Sequence, residues 1–223
     1  MGSVSVRNVS KDYVLGRTIV RALHDVSLEV ERSEFIAIAG PSGSGKSTLL
    51  NLVSAIDSPT TGDVFIDDVS LKSLDDEGLS DLRANKIGFI FQTFNLIPVL
   101  SAYENVEFPL LFKRDGMASK ARVKEVLARV GLADFMHHRP DELSGGQRQR
   151  VAVARALVTD PLIVLADEPT ANLDSETGEA VIDLMLEINR QNGTTFIFST
   201  HDPKVMSHAR RVVRLVDGRI VAS

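Results

Sequence analysis

A run of small and polar residues between an apolar segment and a helix-like segment has the clearest chemical potential in the chain. It consists of Gly40, Pro41, Ser42, Gly43, Ser44, Gly45, Lys46, Ser47 and Thr48. A strand, a glycine-rich turn and a helix in this order direct backbone N–H groups at an anion, and the helix N-terminus adds positive potential. Lys46 can then reach the β- and γ-phosphates of a nucleotide, and the Ser47 hydroxyl can bind Mg²⁺. The pattern favours a nucleotide site over a plain glycine-rich connection.

Two adjacent carboxylates, Asp167 and Glu168, end the apolar run 162–166. The carboxyl end of a buried strand is where α/β sheets bind their ligands. We expect Asp167 to hold Mg²⁺, directly or through water, and Glu168 to polarise a water molecule for attack on the γ-phosphate. An isolated Asp-Glu pair would more simply be a solvated turn. The phosphate loop in the same chain favours the catalytic interpretation.

A second anion site is predicted shortly before the strand that carries these carboxylates. Leu143 is followed there by Ser144, Gly145, Gly146 and Gln147. A serine N-cap with two glycines exposes backbone N–H groups at the start of a helix. Such a segment alone would be a simple capping loop. Its position ahead of Asp167 favours a ligand role.

Composition limits the classes of protein to which the chain can belong. Its 223 residues, 43% hydrophobic and 25% charged, suit one large soluble domain or two small ones. The absence of cysteine excludes disulfides and thiol chemistry, and it fits a reducing cytoplasm. A net charge of −5 argues against nucleic acid as the main partner. No apolar run approaches the roughly 20 residues that a membrane helix needs, and the N-terminus lacks the apolar stretch of a signal peptide.

The hydrophobic pattern predicts an α/β protein with a largely parallel central sheet, because strands alternate with helices. Strands are predicted at residues 3–9, 26–30, 35–39, 63–67, 86–92, 162–166, 194–199, 212–216 and 219–221. Helices are predicted at residues 48–56, 75–85, 103–112, 119–130, 145–158 and 175–190. Between residue 93 and about residue 159 the pattern is helical only. The chain therefore reads as a sheet core with a helical insertion between two of its strands.

Taken together, these motifs resemble the nucleotide-binding subunit of an ATP-binding cassette (ABC) transporter. Residues 143–147 match the family signature, 40–48 its Walker A loop, and 162–168 its Walker B strand. The resemblance covers essentially the whole chain. It implies a P-loop NTPase fold of the ABC ATPase type, a single domain over residues 1–223 with an N-terminal antiparallel β-subdomain. The core would comprise residues 1–92 and 160–223, and the helical subdomain about 93–159.

The resemblance assigns further roles around the nucleotide. Gln92 matches the Q-loop glutamine, which contacts Mg²⁺ and links the γ-phosphate to the insertion. His201 matches the H-switch, and its imidazole would hydrogen-bond the γ-phosphate. Tyr13 matches the aromatic residue that stacks on adenine, and Val20 would cover the base from the other side. A lone tyrosine near an N-terminus is more commonly a packing residue, so both interpretations of Tyr13 stay open.

Residues 171–174, Ala-Asn-Leu-Asp, match the D-loop of the family, which acts between subunits. The commonest family form begins Ser-Ala, but this departure leaves Leu173 and Asp174 unchanged, and Asp174 is expected to contribute to the shared site. The other histidines have no placement of this kind and are interpreted as surface or packing residues: His24, His137, His138 and His208.

The segment from Phe94 to Pro98 is predicted to meet a partner. Its composition alone leaves open whether it belongs to the core of the insertion or to an exposed groove. In the family, this stretch receives a helix of the membrane permease next to Gln92. The sequence of this segment, together with that of residues 57–62, is similar to the sequences of the subgroup that serves lipoprotein release and macrolide or peptide efflux.

The resemblance thus implies an ATP hydrolase that binds ATP and Mg²⁺ and forms a homodimer around ATP. The phosphate loop of one copy would face the segment 144–146 of the other. The subunit would lie peripherally on the cytoplasmic face of a bacterial inner membrane and power export or extraction of a substrate. One alternative is a mechanotransmission ATPase that drives an extracytoplasmic partner without transport. A soluble ABC ATPase is disfavoured by the single cassette and the moderate insertion, and a non-hydrolysing sensor by Lys46, Asp167, Glu168 and His201.

Overall fold

The computed structural model of the protein describes residues 3–113 and 120–221. Its strands are β1 (Val4–Leu15), β2 (Thr18–Val30), β3 (Phe35–Ala39), β4 (Thr61–Ile66), β5 (Val69–Ser70), β6 (Ile87–Ile90), β7 (Ile163–Asp167), β8 (Thr195–Thr200), β9 (Arg211–Val216) and β10 (Arg219–Val221). Its α-helices are α1 (Lys46–Val53), α2 (Asp76–Lys86), α3 (Ala102–Glu107), α4 (Lys120–Arg129), α5 (Gly145–Leu157), α6 (Ser175–Asn192) and α7 (Pro203–Ser207). Short 3₁₀ turns cover Leu71–Ser73, Phe108–Phe112, Ala133–Phe135 and Pro140–Glu142.

The central sheet has six strands in the order β10-β9-β3-β8-β7-β6. All neighbours from β9 to β6 are parallel, and only β10 pairs in the antiparallel direction. The inner strands β3 and β8 are buried along their whole length, as parallel strands covered on both faces must be. Register places Ala39 beside Thr200 and Asp167 beside Ser199. The carboxyl ends of β3, β8 and β7 therefore meet at one edge of the sheet.

A second, antiparallel sheet in the order β2-β1-β4-β5 forms the N-terminal part of the fold. Helix α1 contacts both sheets and fills the space between them. Alternate residues of β3 face opposite sides of the central sheet. Ile36 and Ile38 therefore pack in the hydrophobic core between the two sheets. The predicted mostly parallel sheet with an antiparallel N-terminal sheet is confirmed.

The other face of the central sheet carries the helices of the insertion together with α6. Phe35 and Ala37 of β3 pack there against side chains of α3, α4, α5 and α6 in one continuous core. Within 93–113 and 120–159, the described part of the insertion, the structure contains helices and 3₁₀ turns and no strand. This agrees with the helical pattern of the sequence. The exact division of the chain into subdomains stays a prediction.

Several predicted boundaries differ from those in the structure. The two N-terminal strands are much longer than predicted and form one hairpin, whose register shifts interrupt the alternation of apolar residues. The predicted helix 103–112 is split into α3 and a 3₁₀ turn that contains Pro109, a residue without a backbone N–H to donate. The predicted helix 119–130 corresponds to α4, and residue 119 lies outside the described residues. His137 and His138 follow the Ala133–Phe135 turn and lie outside the helices and strands.

The loop between β6 and α3 depends on one buried amide. Asn105 on α3 is fully buried, and its Nδ2 donates to the carbonyls of Ile97, Leu100 and Ser101 at 3.2, 3.0 and 3.0 Å. Its Oδ1 accepts from the Ile97 N–H at 2.8 Å. Replacing this side chain removes the partner of the Ile97 N–H and of the Leu100 carbonyl in a partly buried loop, which is costly.

We predict that Asn105→Ala lowers the free energy of unfolding by about 2–4 kcal/mol, measured by urea denaturation. The matched control is Asn85→Ala on α2, because the Asn85 amide donates a single bond, to the Asp81 carbonyl at 2.9 Å. The control should cost roughly 1 kcal/mol or less. Equal losses in the two variants would contradict a special role for Asn105.

Candidate nucleotide site

A cleft of about 520 Å³ opens at the edge where β3, β7 and β8 end. The residues around it come from the phosphate loop, the β1–β2 hairpin and the ends of three parallel strands. They are Val20, Arg21, Ala22, Pro41, Ser42, Gly43, Gly45, Lys46, Ser47, Thr48, Gln92, Glu168 and His201. The structure thus brings together most of the residues that the sequence predicted for nucleotide and catalysis.

The phosphate loop is packed so tightly that two of its positions require glycine. A Cβ added to Gly40 would lie 2.1 Å from the Leu215 carbonyl oxygen. Gly45 caps α1 with φ of 102°, and a Cβ there would lie 2.7 Å from the Ala22 oxygen. Left-handed backbone without a side chain is what glycine supplies at least cost. The loop can therefore curl back over the start of α1, as an anion cradle does.

Lys46 begins α1, and its side chain is buried inside this curl. The ammonium group donates to the carbonyl oxygens of Gly40 at 2.8 Å and Pro41 at 3.1 Å. It also lies 3.6 Å from Oε1 of Glu168. A fixed cation at the base of the cleft is placed to bind phosphate oxygens as a point charge.

Glu168 lies between this cation and His201. The imidazole Nδ1 is 3.0 Å from both carboxylate oxygens of Glu168. Most of the His201 side chain is exposed, whereas that of Glu168 is largely buried. A carboxylate held between an amine and an imidazole at the cleft wall has the geometry of a general base with two groups that fix its position.

The two carboxylates that end β7 share a partner that the sequence reasoning missed. The Ser199 hydroxyl on β8 donates to Asp167 Oδ1 at 2.6 Å and accepts from the Glu168 N–H at 2.8 Å. The available signal was a serine two residues before His201, after the apolar residues Phe196, Ile197 and Phe198 of β8. Without the register between β7 and β8, nothing linked it to the carboxylates.

Oxygen ligands suited to Mg²⁺ lie in and beside the cleft. Ser47 and Gln92 line it, and Asp167 is adjacent through its backbone link to Glu168. Mg²⁺ typically takes one or two carboxylates and completes its shell with water and substrate phosphates. Over residues 3–113 and 120–221 no cluster of three or more His, Cys, Asp or Glu residues could hold a metal alone. The donor set therefore fits Mg²⁺ that arrives with a nucleotide.

Tyr13 is not among the residues that line the cleft. Its hydroxyl donates to Asp57 Oδ2 at 2.8 Å, and the Lys11 amine lies 4.9 Å from the ring centroid. Burial and the hydrogen bond to Asp57 raise the pKa of the Tyr13 phenol. Val20, its cross-strand neighbour, does line the cleft. Stacking of Tyr13 on a base stays a prediction.

The hairpin strand also contributes Arg21 to the cleft wall, a residue that the sequence reasoning missed. Its guanidinium donates to both carboxylate oxygens of Asp12, at 2.6 and 3.0 Å. The hydrogen bond from Arg21 lowers the pKa of the Asp12 carboxyl. The signal that could have found Arg21 is its place beside Val20, once the length of β2 is known.

The second predicted anion site lies at the start of α5 and not around the cleft. Ser144 caps this helix: its hydroxyl accepts from the Gln147 N–H at 3.2 Å, and Gln147 Oε1 accepts from the Ser144 N–H at 2.8 Å. The start of α6 packs directly against it, because a Cβ on Gly146 would lie 2.3 Å from Cγ2 of Thr177. Asp174 caps α6, and the hydrogen bond from the Thr177 N–H lowers the pKa of its carboxyl. The segment 144–147 and Asp174 therefore form one surface, separate from the cleft of the same chain.

In residues 3–113 and 120–221 no helix is both long and apolar enough to cross a membrane.

Comparison with known proteins decides the family. The family model described as ABC transporter matches residues 23–171, more than half of the chain. The chain belongs to the ABC transporter family. As a member of this family it is a P-loop NTPase of the ABC type and an ATP hydrolase, which confirms the fold and the activity expected from the sequence.

The relatives place this ABC transporter subunit near the expected subgroup. The ABC transporter ATP-binding protein MJ0796 of Methanocaldococcus jannaschii is 47% identical over 97% of this chain and 94% of its own. The lipoprotein-releasing system ATP-binding protein LolD of Anaeromyxobacter dehalogenans is 46% identical over 99% and 93%. The macrolide export ATP-binding/permease protein MacB of Bdellovibrio bacteriovorus is 42% identical over 97% of this chain and 33% of its own length.

Solved structures agree with the fold of this ABC transporter subunit. A dimeric structure of a post-hydrolysis state of the MJ0796 cassette, bound to ADP and Pi, aligns with a TM-score of 0.91 at 47% identity. The alignment covers 98% of this chain and 97% of that one. A cassette from Clostridium perfringens, cbiO1, aligns with a TM-score of 0.86 at 29% identity, over 99% and 87% of the two chains.

We predict that Lys46→Ala weakens ATP binding at least tenfold, measured by equilibrium titration with a fluorescent ATP analogue. Loss of one charge-assisted contact to phosphate is worth about 1.5–3 kcal/mol, and about 1.4 kcal/mol corresponds to tenfold. Lys72→Ala, an exposed lysine in the Leu71–Ser73 turn, is the matched control and should bind normally. Unchanged affinity in Lys46→Ala would contradict the cradle.

Proposed function

We propose that this chain is the ATPase subunit of a membrane complex that exports or extracts a substrate such as a lipoprotein, a peptide or a macrolide. The observation that carries the proposal is the cleft in which Lys46, Glu168 and His201 meet beside the phosphate loop. Similarity to LolD and MacB supports the substrate class. The subunit then sits peripherally on the cytoplasmic face of a bacterial inner membrane.

The catalytic groups divide the work of hydrolysis among them. Lys46 binds the β- and γ-phosphates, Glu168 takes a proton from the attacking water, and His201 holds Glu168 and the γ-phosphate in place. Ser47, Gln92 and Asp167 are the residues that would hold Mg²⁺. When bound there, Mg²⁺ neutralises charge on the phosphates. Tyr13 and Val20 contact the adenine base of ATP.

A second copy of the chain completes the site. The segment 144–147 and Asp174 lie apart from the cleft of their own chain, although the N–H groups at the start of α5 suit an anion. A nucleotide that lies between two copies uses both anion sites, one from each chain. The dimeric structures of MJ0796 support this arrangement.

Hydrogen bonds connect the cleft to the segment 94–98. The Asn172 side chain donates to the Gln92 carbonyl at 2.7 Å, which ties Gln92 to the loop after β7. Arg155 on α5 donates to the carbonyls of both Phe94, at 2.8 Å, and Asn95. Only Thr93 separates the residue bound to the loop after β7 from the residues bound to α5.

An apolar surface beside this segment suits a helix of a membrane permease. Val99, Leu111 and Phe112 are 73%, 66% and 62% exposed. Arg155, which binds the segment, lines a small cavity together with Pro109 of the same 3₁₀ turn as Leu111 and Phe112. Exposed apolar patches mark interaction sites, and we propose that these three side chains contribute to one. We name this surface, formed by Val99, Leu111 and Phe112, the docking surface.

We predict that Glu168→Gln keeps ATP affinity but lowers turnover at least 100-fold, because a general base contributes roughly 10²–10⁴ to the rate. With ATP bound and not hydrolysed, the variant should elute as a stable dimer in size-exclusion chromatography. Glu187→Gln on the exposed side of α6 is the matched control and should turn over normally. Wild-type turnover in Glu168→Gln would contradict the assignment of Glu168 as the general base.

We predict that Leu111→Glu reduces co-purification with the proposed membrane permease at least tenfold. Lost burial of one leucine side chain costs about 1.5–3 kcal/mol, and about 1.4 kcal/mol is tenfold in affinity. Stimulation of ATP hydrolysis by the permease should disappear, whereas basal hydrolysis should stay unchanged. Val221→Glu is the matched control, because Val221 is also exposed but lies on β10 at the opposite edge of the central sheet. Normal co-purification of Leu111→Glu would exclude the docking surface.

A further inference from the structure

We propose that Ser199 is a positioning residue for ATP hydrolysis, whose single hydroxyl orients both carboxylates at the end of β7. The proposal rests on the roles proposed above for Asp167 and Glu168. Ser199 itself touches neither the cleft nor a nucleotide, since it is fully buried in β8. It would act only through the two carboxylate residues.

The Ser199 hydroxyl both donates and accepts a hydrogen bond at the end of β7. A serine hydroxyl has one proton to donate and lone pairs that accept. Ser199 donates its proton to Asp167 Oδ1 at 2.6 Å and accepts the Glu168 N–H at 2.8 Å. A bond to a carboxylate is charge-assisted and stronger than a neutral one. Parallel pairing of Asp167 with Ser199 across β7 and β8 sets this geometry.

The bond to the Glu168 N–H is made at a residue whose backbone has an uncommon conformation. Glu168 has φ of 46°, in the left-handed region that a side chain adopts at a cost. At this residue the chain leaves β7, and the Glu168 carboxylate turns toward Lys46 and His201. At this turn the Ser199 hydroxyl accepts a hydrogen bond from the Glu168 N–H. The aim of the general base therefore depends on a side chain of the neighbouring strand.

The bond to Asp167 Oδ1 fixes the rotation of that carboxylate, and thereby the position of its second oxygen. A group that orients a ligand without touching the metal usually matters for affinity and rate. A buried hydroxyl kept only for stability would need no link to both proposed catalytic residues. Thr195, at the start of the same strand, provides that comparison. Its buried hydroxyl accepts from the Ser33 N–H at 3.0 Å and from the Ser3 hydroxyl at 3.3 Å, away from the cleft.

The test compares Ser199→Ala, the conservative Ser199→Thr and the control Thr195→Val in the full chain. For Ser199→Ala we expect kcat for ATP to fall about 10- to 100-fold, with the Kd for a fluorescent ATP analogue within about threefold of wild type. Ser199→Thr keeps a hydroxyl and should retain most of kcat. Thr195→Val should lose thermal stability without losing kcat.

A second readout does not depend on turnover. Mn²⁺ in place of Mg²⁺ is titrated by electron paramagnetic resonance in the presence of a non-hydrolysable ATP analogue. Ser199→Ala should weaken Mn²⁺ binding several-fold, because Asp167 is no longer held, and Thr195→Val should leave it unchanged. A purely structural Ser199 would lower the melting temperature and leave the Mn²⁺ affinity unchanged.

The outcomes separate this inference from the proposed function. If Glu168→Gln is inactive while Ser199→Ala turns over within twofold of wild type and binds Mn²⁺ normally, the role of Ser199 is wrong and the catalytic assignment stands. If Glu168→Gln and Ser199→Ala both turn over normally, the assignment of the carboxylates is wrong and the role of Ser199 falls with it. If Ser199→Thr does not fold, the contrast between Ser199→Ala and Thr195→Val decides.

Discussion

Parallel pairing of β3, β8 and β7 is the constraint on which the site depends. It fixes the phosphate loop, His201 and the two carboxylates at the same edge of the sheet, although they are far apart in the sequence. Strands buried on both faces cannot slip by one residue without moving apolar side chains out of their cores. The relative positions of the site residues therefore depend on two hydrophobic cores, one on each face of β3.

Residues whose roles depend on local sequence were predictable. The loop around Lys46 follows from the glycines and the strand–helix context, and the placement of Glu168 follows from the apolar run before it. Gln92 ends one predicted strand and His201 follows another, the family resemblance assigned their roles, and the structure brings both to the cleft. The length of the apolar runs was enough to find every strand of the central sheet.

Features that depend on contacts distant in sequence were not predictable. The long β1–β2 hairpin is interrupted by register shifts, so its apolar residues do not alternate regularly. Ser199 gains meaning only from the register between β7 and β8, and Arg155 only from the chain path after Gln92. Such side chains look ordinary in a sequence because their partners lie dozens of residues away.

The single residue between two anchors has a mechanical consequence. Asn172 holds the Gln92 carbonyl, and Arg155 holds the carbonyls of Phe94 and Asn95. The chain between these anchors is a tight turn, in which the Asn95 N–H donates to the Thr93 carbonyl at 2.7 Å and Phe94 and Asn95 have φ of 62° and 48°. A shift of α5 relative to the loop after β7 must therefore move residues 93–95, open their turn, or break one of these hydrogen bonds. The position of α5 and that of the Gln92 backbone are linked in this way through a very short stretch of chain.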